Sequence, residues 1–340
     1  MARLAWVPQP ARIVARRFRR RLFGGAQVGT PRSSSPNGAV PRWGPARPHS
    51  HLLALLRDGE ATYREWLERF RQHIPALRII PASEDVPASE PTFLNPFFGI
   101  LDAMTLYGFV AELRPLTIIE IGSGHSTRFA ARSIRDHKLQ TRLLCIDPEP
   151  RADIAGIADL RREPLERVDL KCFERLGAND IIFIDGSHRC AMNSDVTVFF
   201  LEILPRLPAG TVVHFHDIWW PFDYPRGWAD LDYNEQYVVG VLLLAGAPLE
   251  ILLPSMYVAQ TPHLFRIVAP LWDDPRLASC NRAGGSFWFR WLGRSATSGT
   301  EYQPFDAQRE GPKITRQLEH IEQETWSTDD RDLTDRLKKI

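Results

Sequence analysis

An α/β fold on a mostly parallel sheet is what this sequence predicts, and three observations predict it. Between residues 117 and 291, short β-branched runs alternate with helix-length segments, the pattern of strands joined by crossover helices. Four of those runs end in acidic or glycine-containing turns, where an open parallel sheet collects its chemistry. No apolar stretch approaches the ~20 residues of a bilayer-spanning helix. The longest, 238–247, is broken by Gly240 and Gly246.

The first 50 residues carry ten arginines and no Asp or Glu, so a net charge of +1 leaves −9 for the remainder. Residues 11–23 can form a basic amphipathic helix, which attracts anionic membrane surfaces or nucleic acid; an arginine-rich, acid-free start also resembles a transit peptide. Residues 24–50 are rich in Gly, Pro and Ser and are expected to act as a linker. Residues 1–55 are therefore read as a disordered basic arm. Peripheral membrane contact is one use open to it, and nucleic-acid binding is not expected.

Residues 61–73 place Tyr63, Trp66, Leu67 and Phe70 on one helical face. A proline-punctuated stretch from Pro75 to Pro96 leads to a second helix over 99–113, stopped by Pro115. Together they predict a helical cap over 56–115. Strands are expected at 117–121, 142–146, 167–170, 180–184, 211–215, 250–253 and 286–291, with helices over 126–137, 154–162, 196–204 and 234–245. These elements define a ligand-binding domain over 116–293. The polar remainder, 294–340, is expected to be a tail with a charged helix over 314–324. Cys145, Cys172, Cys190 and Cys280 lack C-x-x-C spacing, which fits a reducing, cytoplasmic compartment and argues against a cysteine zinc site.

The segment Thr117-Ile-Ile-Glu-Ile-Gly-Ser-Gly-His-Ser-Thr127 reads as a buried strand running into a nucleotide-binding turn. Ile118, Ile119 and Ile121 give strand character, while Gly122 and Gly124 let the backbone turn and approach a ligand. A helix from about Ser126 would aim its free N–H groups at that ligand. Thr127 stands where a dinucleotide fingerprint has its third glycine, which weakens a nicotinamide reading. The second strand ends in Asp147, at the spacing of a ribose-binding carboxylate. The fourth ends in Ile184-Asp-Gly-Ser-His188 and the fifth in Val213-His-Phe-His-Asp217.

Ile119-Glu-Ile-Gly-Ser-Gly-His-Ser-Thr127, Cys145-Ile-Asp-Pro148, Phe183-Ile-Asp-Gly-Ser-His188 and His214-Phe-His-Asp-Ile218 together resemble class I S-adenosylmethionine-dependent methyltransferases. The subgroup is methyltransferase family 24. The resemblance extends over roughly residues 60–292 and takes in Asn95-Pro-Phe-Phe-Gly99, Trp220–Pro225, Asn234-Glu-Gln-Tyr237 and Gly285–Phe289. It implies a Rossmann-like three-layer sandwich whose seven-stranded, mostly parallel sheet ends in an antiparallel last strand. It also implies that Glu120, Gly122, Ser123 and Gly124 cradle the methionine part of S-adenosyl-L-methionine, that Asp147 holds the ribose, and that Asp185 lies with the cofactor-binding residues. A sulfonium cofactor has no pyrophosphate, so Thr127 is then no defect.

Asp185 and Asp217 admit two functional readings. In catechol O-methyltransferase-type relatives, carboxylates after the fourth and fifth strands bind Mg²⁺, whose charge lowers the pKa of a substrate hydroxyl. Here His216 precedes Asp217, which shifts preference toward Zn²⁺, Mn²⁺ or Fe²⁺, or toward no metal. In the second reading His188 or His216 is a general base that takes the hydroxyl proton. A third outcome is that these histidines only hold loop backbone while positioning drives the reaction. By strand alternation His214 shares the face of His216, which keeps a two-histidine site open. Trp219, Trp220, Phe222, Tyr224 and Trp228 either wall an acceptor pocket or pack as a lid. The expected function is methyl transfer to a small-molecule hydroxyl, on a sugar or secondary metabolite, by a chain that can form homo-oligomers. The alternatives are a nicotinamide oxidoreductase and a non-catalytic adaptor on the same fold.

Overall fold

The computed structural model describes residues 40–83, 85–282 and 284–293. A seven-stranded sheet runs β1 (Thr117–Ile121), β2 (Arg142–Ile146), β3 (Asp159–Arg161), β4 (Ile181–Ile184), β5 (Val212–Phe215), β6 (Leu249–Pro254) and β7 (Phe287–Trp291), in the spatial order β3-β2-β1-β4-β5-β7-β6. β1 through β5 are parallel, and β7 inserts antiparallel between β5 and β6. The central strands are buried along almost their whole length, as their predominance of Ile, Val and Phe requires when helices cover both faces. Asp180 sets the register where β1 and β4 start side by side. Its Oδ1 accepts from the amides of Leu116 and Thr117, both at 2.8 Å, and its Oδ2 from Gly177 at 2.8 Å.

The helices are α1 (Ser50–Asp58), α2 (Glu60–Arg71), α3 (Ile74–Leu77), α4 (Ile100–Leu113), α5 (His125–Asp136), α6 (Asp195–Val198, continued by a π turn at Phe199–Ile203), α7 (Glu235–Leu244), α8 (Ser255–Gln260), α9 (Pro262–Phe265) and α10 (Ala269–Trp272). α4 is apolar on nearly every face and is buried from Ile100 to Ala111, so it lies inside the core rather than on the surface. α2 buries Tyr63, Leu67 and Phe70. Phe70 lies so close to Gly108 of α4 that a β-carbon there would come within 2.3 Å of its ring. α4 ends at Arg114, which takes the left-handed conformation at φ 49° just before Pro115.

Two expectations are corrected. The arm does not extend to residue 55: Asp223 Oδ2 accepts from the backbone amides of Arg42 (2.5 Å) and Trp43 (3.1 Å), and the Trp43 ring lies 5.7 Å from that of Trp220. α1 then buries Leu52 and Leu56. The linker reading went wrong because the Pro/Gly/Ser composition of this stretch hides single aromatic and leucine anchors. Between 154 and 170, the expected helix and strand exchange places: 159–161 is the short third strand, and 165–167 and 170–175 are 3₁₀ turns. The polar, arginine-rich 151–162 has no β-branched run to show an edge strand. Residues 1–39, and with them the basic helix over 11–23, lie outside the described residues, as does the tail from 294 with its charged helix. Among the described residues no helix is long and apolar enough to cross a membrane.

Candidate active site

The chain winds one way through β1, β2 and β3 and the other way through β4 and β5, so the turns after β1 and β4 open into one crevice. Gly122 sits there at φ +87°, where a β-carbon would come 2.2 Å from the carbonyl oxygen of Asp185. Only glycine fits that crossing. The two turns are tied into the sheet by Gly122 N–H to Ile146 O (3.0 Å) and Asp185 N–H to Ile121 O (2.9 Å).

Thr127, in the place of a third glycine, has work of its own. Its Oγ1 accepts from the Gly124 amide at 2.9 Å and so closes the first turn of α5. Ser123 donates to Asp147 Oδ2 at 2.8 Å, and the Glu149 amide donates to Asp147 Oδ1 at 2.8 Å, which fixes that carboxylate at the end of β2. Glu120 faces inward. Its Oε1 accepts from the Ser126 hydroxyl and its Oε2 from the Cys145 thiol at 3.4 Å, and complete burial pushes its pKa up to about 7. Glu120 therefore braces the turn from behind, whereas Ser123, Gly124, His125, Ser126, Arg151 and Asp185 line the cleft together with Phe97 and Phe98. The two phenylalanines are delivered by Asn95, whose Oδ1 accepts from the amides of Phe97 (3.1 Å) and Phe98 (2.7 Å).

Beyond this cleft, the ends of β4 and β5 converge. Asp185, His216 and Asp217 each offer one donor atom, and those atoms lie within 4.8 Å of one another. His188 and Asp217 both take the left-handed conformation, at φ 58°, an uncommon arrangement for residues with a β-carbon that concentrates at functional sites. Asp195 shapes the first loop by accepting from the Ser187 amide (2.7 Å) and hydroxyl (2.5 Å).

His188 is enclosed between Glu235, whose Oε2 is 3.0 Å from Nδ1, and Asp185, whose Oδ1 is 3.2 Å from Nε2. Burial alone would lower its pKa, but these carboxylates hold it well above the ordinary value. Both ring nitrogens of His188 are thus turned to carboxylates at hydrogen-bond distance and neither faces a substrate hydroxyl, so the general-base reading does not suit it. His216 stands with Nδ1 3.6 Å from Asp185 Oδ1 and 3.5 Å from Asp217 Oδ1, and with Nε2 3.4 Å from Asp102 Oδ2. Burial opposes its charge, while Asp217, Asp185 and Asp102 raise its pKa well above normal. Asp185 is held well below the carboxylate range: burial works against ionisation, and His216 and His188 overcome it. Asp217 goes the other way, raised chiefly by burial.

His214 does not join them. Its Nε2 pairs with Ser286 Oγ at 2.8 Å, its ring stacks on Phe183 at 3.7 Å, and it lies outside the Asp185–His216–Asp217 group. The aromatic segment after β5 largely packs on itself. Trp220 donates through Nε1 to Gln236 O (2.7 Å), Tyr224 accepts from the Gln236 amide (3.1 Å), and Trp228 lies against Trp219, Tyr224 and Tyr233. Phe222 is half-buried.

Sequence reasoning missed Asp102, Glu235 and Tyr233, the last with its ring tilted 42° against that of His188 at 4.5 Å. The signal for Asp102 was present: it is an acid in the first turn of a largely apolar helix, and its carboxylate accepts from the amides of Gly285 and Ser286, both at 2.9 Å.

The strand order, the Gly122 turn and the matched segment define a class I S-adenosylmethionine-dependent methyltransferase domain. Residues 119–218, from β1 through the end of β5, match the family model described as a methyltransferase domain. Among solved structures, the chain is similar to the Podospora anserina methyltransferase PaMTH1 bound to S-adenosylhomocysteine, at 15% identity, 56% of this chain, 77% of that one and a TM-score of 0.35. It is similar to an O-methyltransferase from Bacillus cereus in complex with S-adenosylhomocysteine (16%, 67% and 90%, 0.35). It is also similar to the plantazolicin methyltransferase BpumL bound to a desmethyl-plantazolicin analogue and S-adenosylhomocysteine (11%, 72% and 100%, 0.36). No curated protein matches the sequence.

Proposed function

We propose that this methyltransferase transfers its methyl group to a hydroxyl oxygen of a small molecule held at the Asp185–His216–Asp217 centre. The observation that carries the reading is that convergence of two carboxylates and an imidazole beside the cofactor turn. In the cleft, the amino end of α5 favours the methionine carboxylate of S-adenosyl-L-methionine, and Asp147, already aligned by Ser123, is placed for the ribose hydroxyls. Glu120 supports the turn without reaching the cleft.

The donor set also fits a divalent cation. Three donors lie within 4.8 Å, Asp185 is held ionised, and His216 turns Nε2 to Asp102 at 3.4 Å, which leaves Nδ1 on the side of Asp185 and Asp217. Asp185, Asp217 and His216 would hold the ion, and the mixed nitrogen and oxygen set favours Mn²⁺, Fe²⁺ or Zn²⁺ over Mg²⁺. When bound, such an ion lowers the pKa of a coordinated hydroxyl. The protein's own groups orient that hydroxyl toward the methyl and shut water out, since both histidines and Glu235 are buried. A second reading, in which His216 alone removes the proton through Nδ1, is supported by Asp102 facing Nε2 and by the longer 3.5–3.6 Å separation of Nδ1 from Asp217 and Asp185.

Mass spectrometry of methyl transfer to hydroxylated candidates, with and without EDTA, tests both. Activity abolished by EDTA and restored by Mn²⁺ supports the metal centre. Activity that survives EDTA and is lost in His216→Ala supports the base. Activity that survives both treatments refutes the centre's role. A cytoplasmic setting is supported by the four unpaired cysteines. Exposed Val241 and Leu244 on α7 support self-association, to be read by light scattering. Vesicle binding by the full chain, compared with a chain lacking residues 1–39, tests the membrane role of the arm.

A further inference from the structure

Two buried carboxylates stand outside the proposed centre, each behind one of its histidines. Glu235, in the first turn of α7, is 1% exposed, and its Oε2 lies 3.0 Å from His188 Nδ1. Its Oε1 is buried with no hydrogen-bond partner, so its carboxylate serves His188 alone among side chains. Asp102, on α4 of the cap, is 2% exposed and presents Oδ2 at 3.4 Å from His216 Nε2, while the amides of Gly285 and Ser286 clamp it in place. The opposite nitrogens of both rings point at the same pair: His188 Nε2 at Asp185 and Asp217 (3.2 and 3.8 Å), His216 Nδ1 at Asp185 and Asp217 (3.6 and 3.5 Å).

We infer that Asp102 and Glu235 are positioning residues, each fixing the proton and the ring orientation of one histidine so that both rings aim inward at Asp185 and Asp217. A ring N–H directed at a carboxylate fixes the tautomer and makes the other nitrogen the better donor or ligand. Asp102 does this for His216 and so ties the cap to the end of β5. Glu235 does it for His188, which in turn holds Asp185. The first turn of α7 reinforces the arrangement, because the Asn234 amide donates to His188 O (2.9 Å), the Cys190 amide donates to Asn234 Oδ1 (2.5 Å), and the Trp219 amide donates to Gln236 Oε1 (3.0 Å). One helical turn thus pins the loops after both β4 and β5.

The test uses the full chain with ¹⁵N-labelled histidine and needs no metal for its first arm. Ring NMR of the unmodified protein should show a proton on His188 Nδ1 and on His216 Nε2. Glu235→Ala should release the first and Glu235→Gln, which keeps an acceptor, should retain it; Asp102→Asn should disturb the second. A proton missing from either nitrogen in the unmodified protein, or the same His188 spectrum in both Glu235 variants, overturns the inference. The second arm rests on the proposed cation centre: Mn²⁺ affinity, read by electron paramagnetic resonance, should fall roughly 10–100-fold in Glu235→Ala and Asp102→Asn. Unchanged affinity in folded variants overturns the positioning roles. An unmodified protein that binds no Mn²⁺ refutes the cation centre instead, and the ring protons then decide the inference. Should Asp102→Asn fail to fold, the Glu235 pair decides it.

Discussion

Replacing Glu120 by Gln should remove a block of pH dependence from the stability of the fold. In the folded chain this carboxyl is fully buried and its pKa stands at about 7, against an ordinary value of 4.5. Below pH 4.5 both folded and unfolded chains carry the proton, and the fold keeps its full stability. As the pH rises through about 7, the unfolded chain has already released the proton while the folded chain must bury a charge, so stability is lost. A difference of about 2.5 pKa units is worth about 3 kcal/mol at 1.36 kcal/mol per unit, most of it falling between pH 5 and pH 8. Gln keeps an oxygen for the Ser126 hydroxyl but gives up the thiol contact from Cys145, a loss of about 1 kcal/mol at every pH. Urea unfolding of both proteins at pH 5 and pH 8 measures the effect, because other titrating groups are common to the two. The variant should nearly match the unmodified protein at pH 5, where the lost contact and the early ionisation of the unfolded chain offset each other, and be stronger by about 2 kcal/mol at pH 8. A gap that is the same at both pH values would refute the assignment of a buried, reluctantly ionised carboxyl to this position.

Three further outcomes follow from contacts already described. Gly122→Ala forces a β-carbon to within 2.2 Å of Asp185 O at φ +87°, so calorimetry should find binding of S-adenosylhomocysteine lost and stability lowered by about 1–3 kcal/mol or more. Leu56→Ala in α1 should cost about 2–5 kcal/mol in urea unfolding, since Leu56 is fully buried; a surface-like effect below about 0.5 kcal/mol would return this segment to the arm. Asp180→Ala leaves three backbone amides without their acceptor where β1 and β4 begin, and a loss of about 2–4 kcal/mol should follow, with hydrogen exchange accelerating at Leu116 and Thr117.

The sheet was largely legible because its central strands, residues 117–121, 180–184 and 211–215, are dominated by β-branched and aromatic residues that a doubly covered sheet buries. The third strand was not, because three polar residues at the sheet's edge carry no such run. The turns after β1, β2, β4 and β5 were legible for a local reason: chemistry at the ends of parallel strands is written in consecutive residues, as in Asp185-Gly-Ser-His188. What contiguity cannot show is a partner brought in from another element. Asp102 precedes His216 by 114 positions and meets it only because α4 is buried across the end of β5. The role of His188 turned on the same blindness, since Glu235, 47 positions away, occupies the nitrogen that a base would use.

The shared wall between cofactor turn and acceptor centre is a consequence of strand order. β1 and β4 are neighbours across the point where the winding reverses, so the backbone of Gly122 and that of Asp185 must pass within contact distance. The carbonyl of Asp185 fills the space a β-carbon would take on the cofactor side, while its carboxylate turns to His188 and His216 on the other. On the proposed reading, a methyl donor held on the first turn and a hydroxyl held at the second are thereby brought to opposite sides of one residue. Methyl transfer from a sulfonium depends on such placement more than on acid or base strength, because the electrophile is already activated and the reacting atoms need only reach about 3–3.5 Å in line. In that light the buried carboxylates and histidines serve geometry first: Glu235 and Asp102 aim the rings, the rings aim Asp185 and Asp217, and Gly122 keeps the cofactor turn pressed against them.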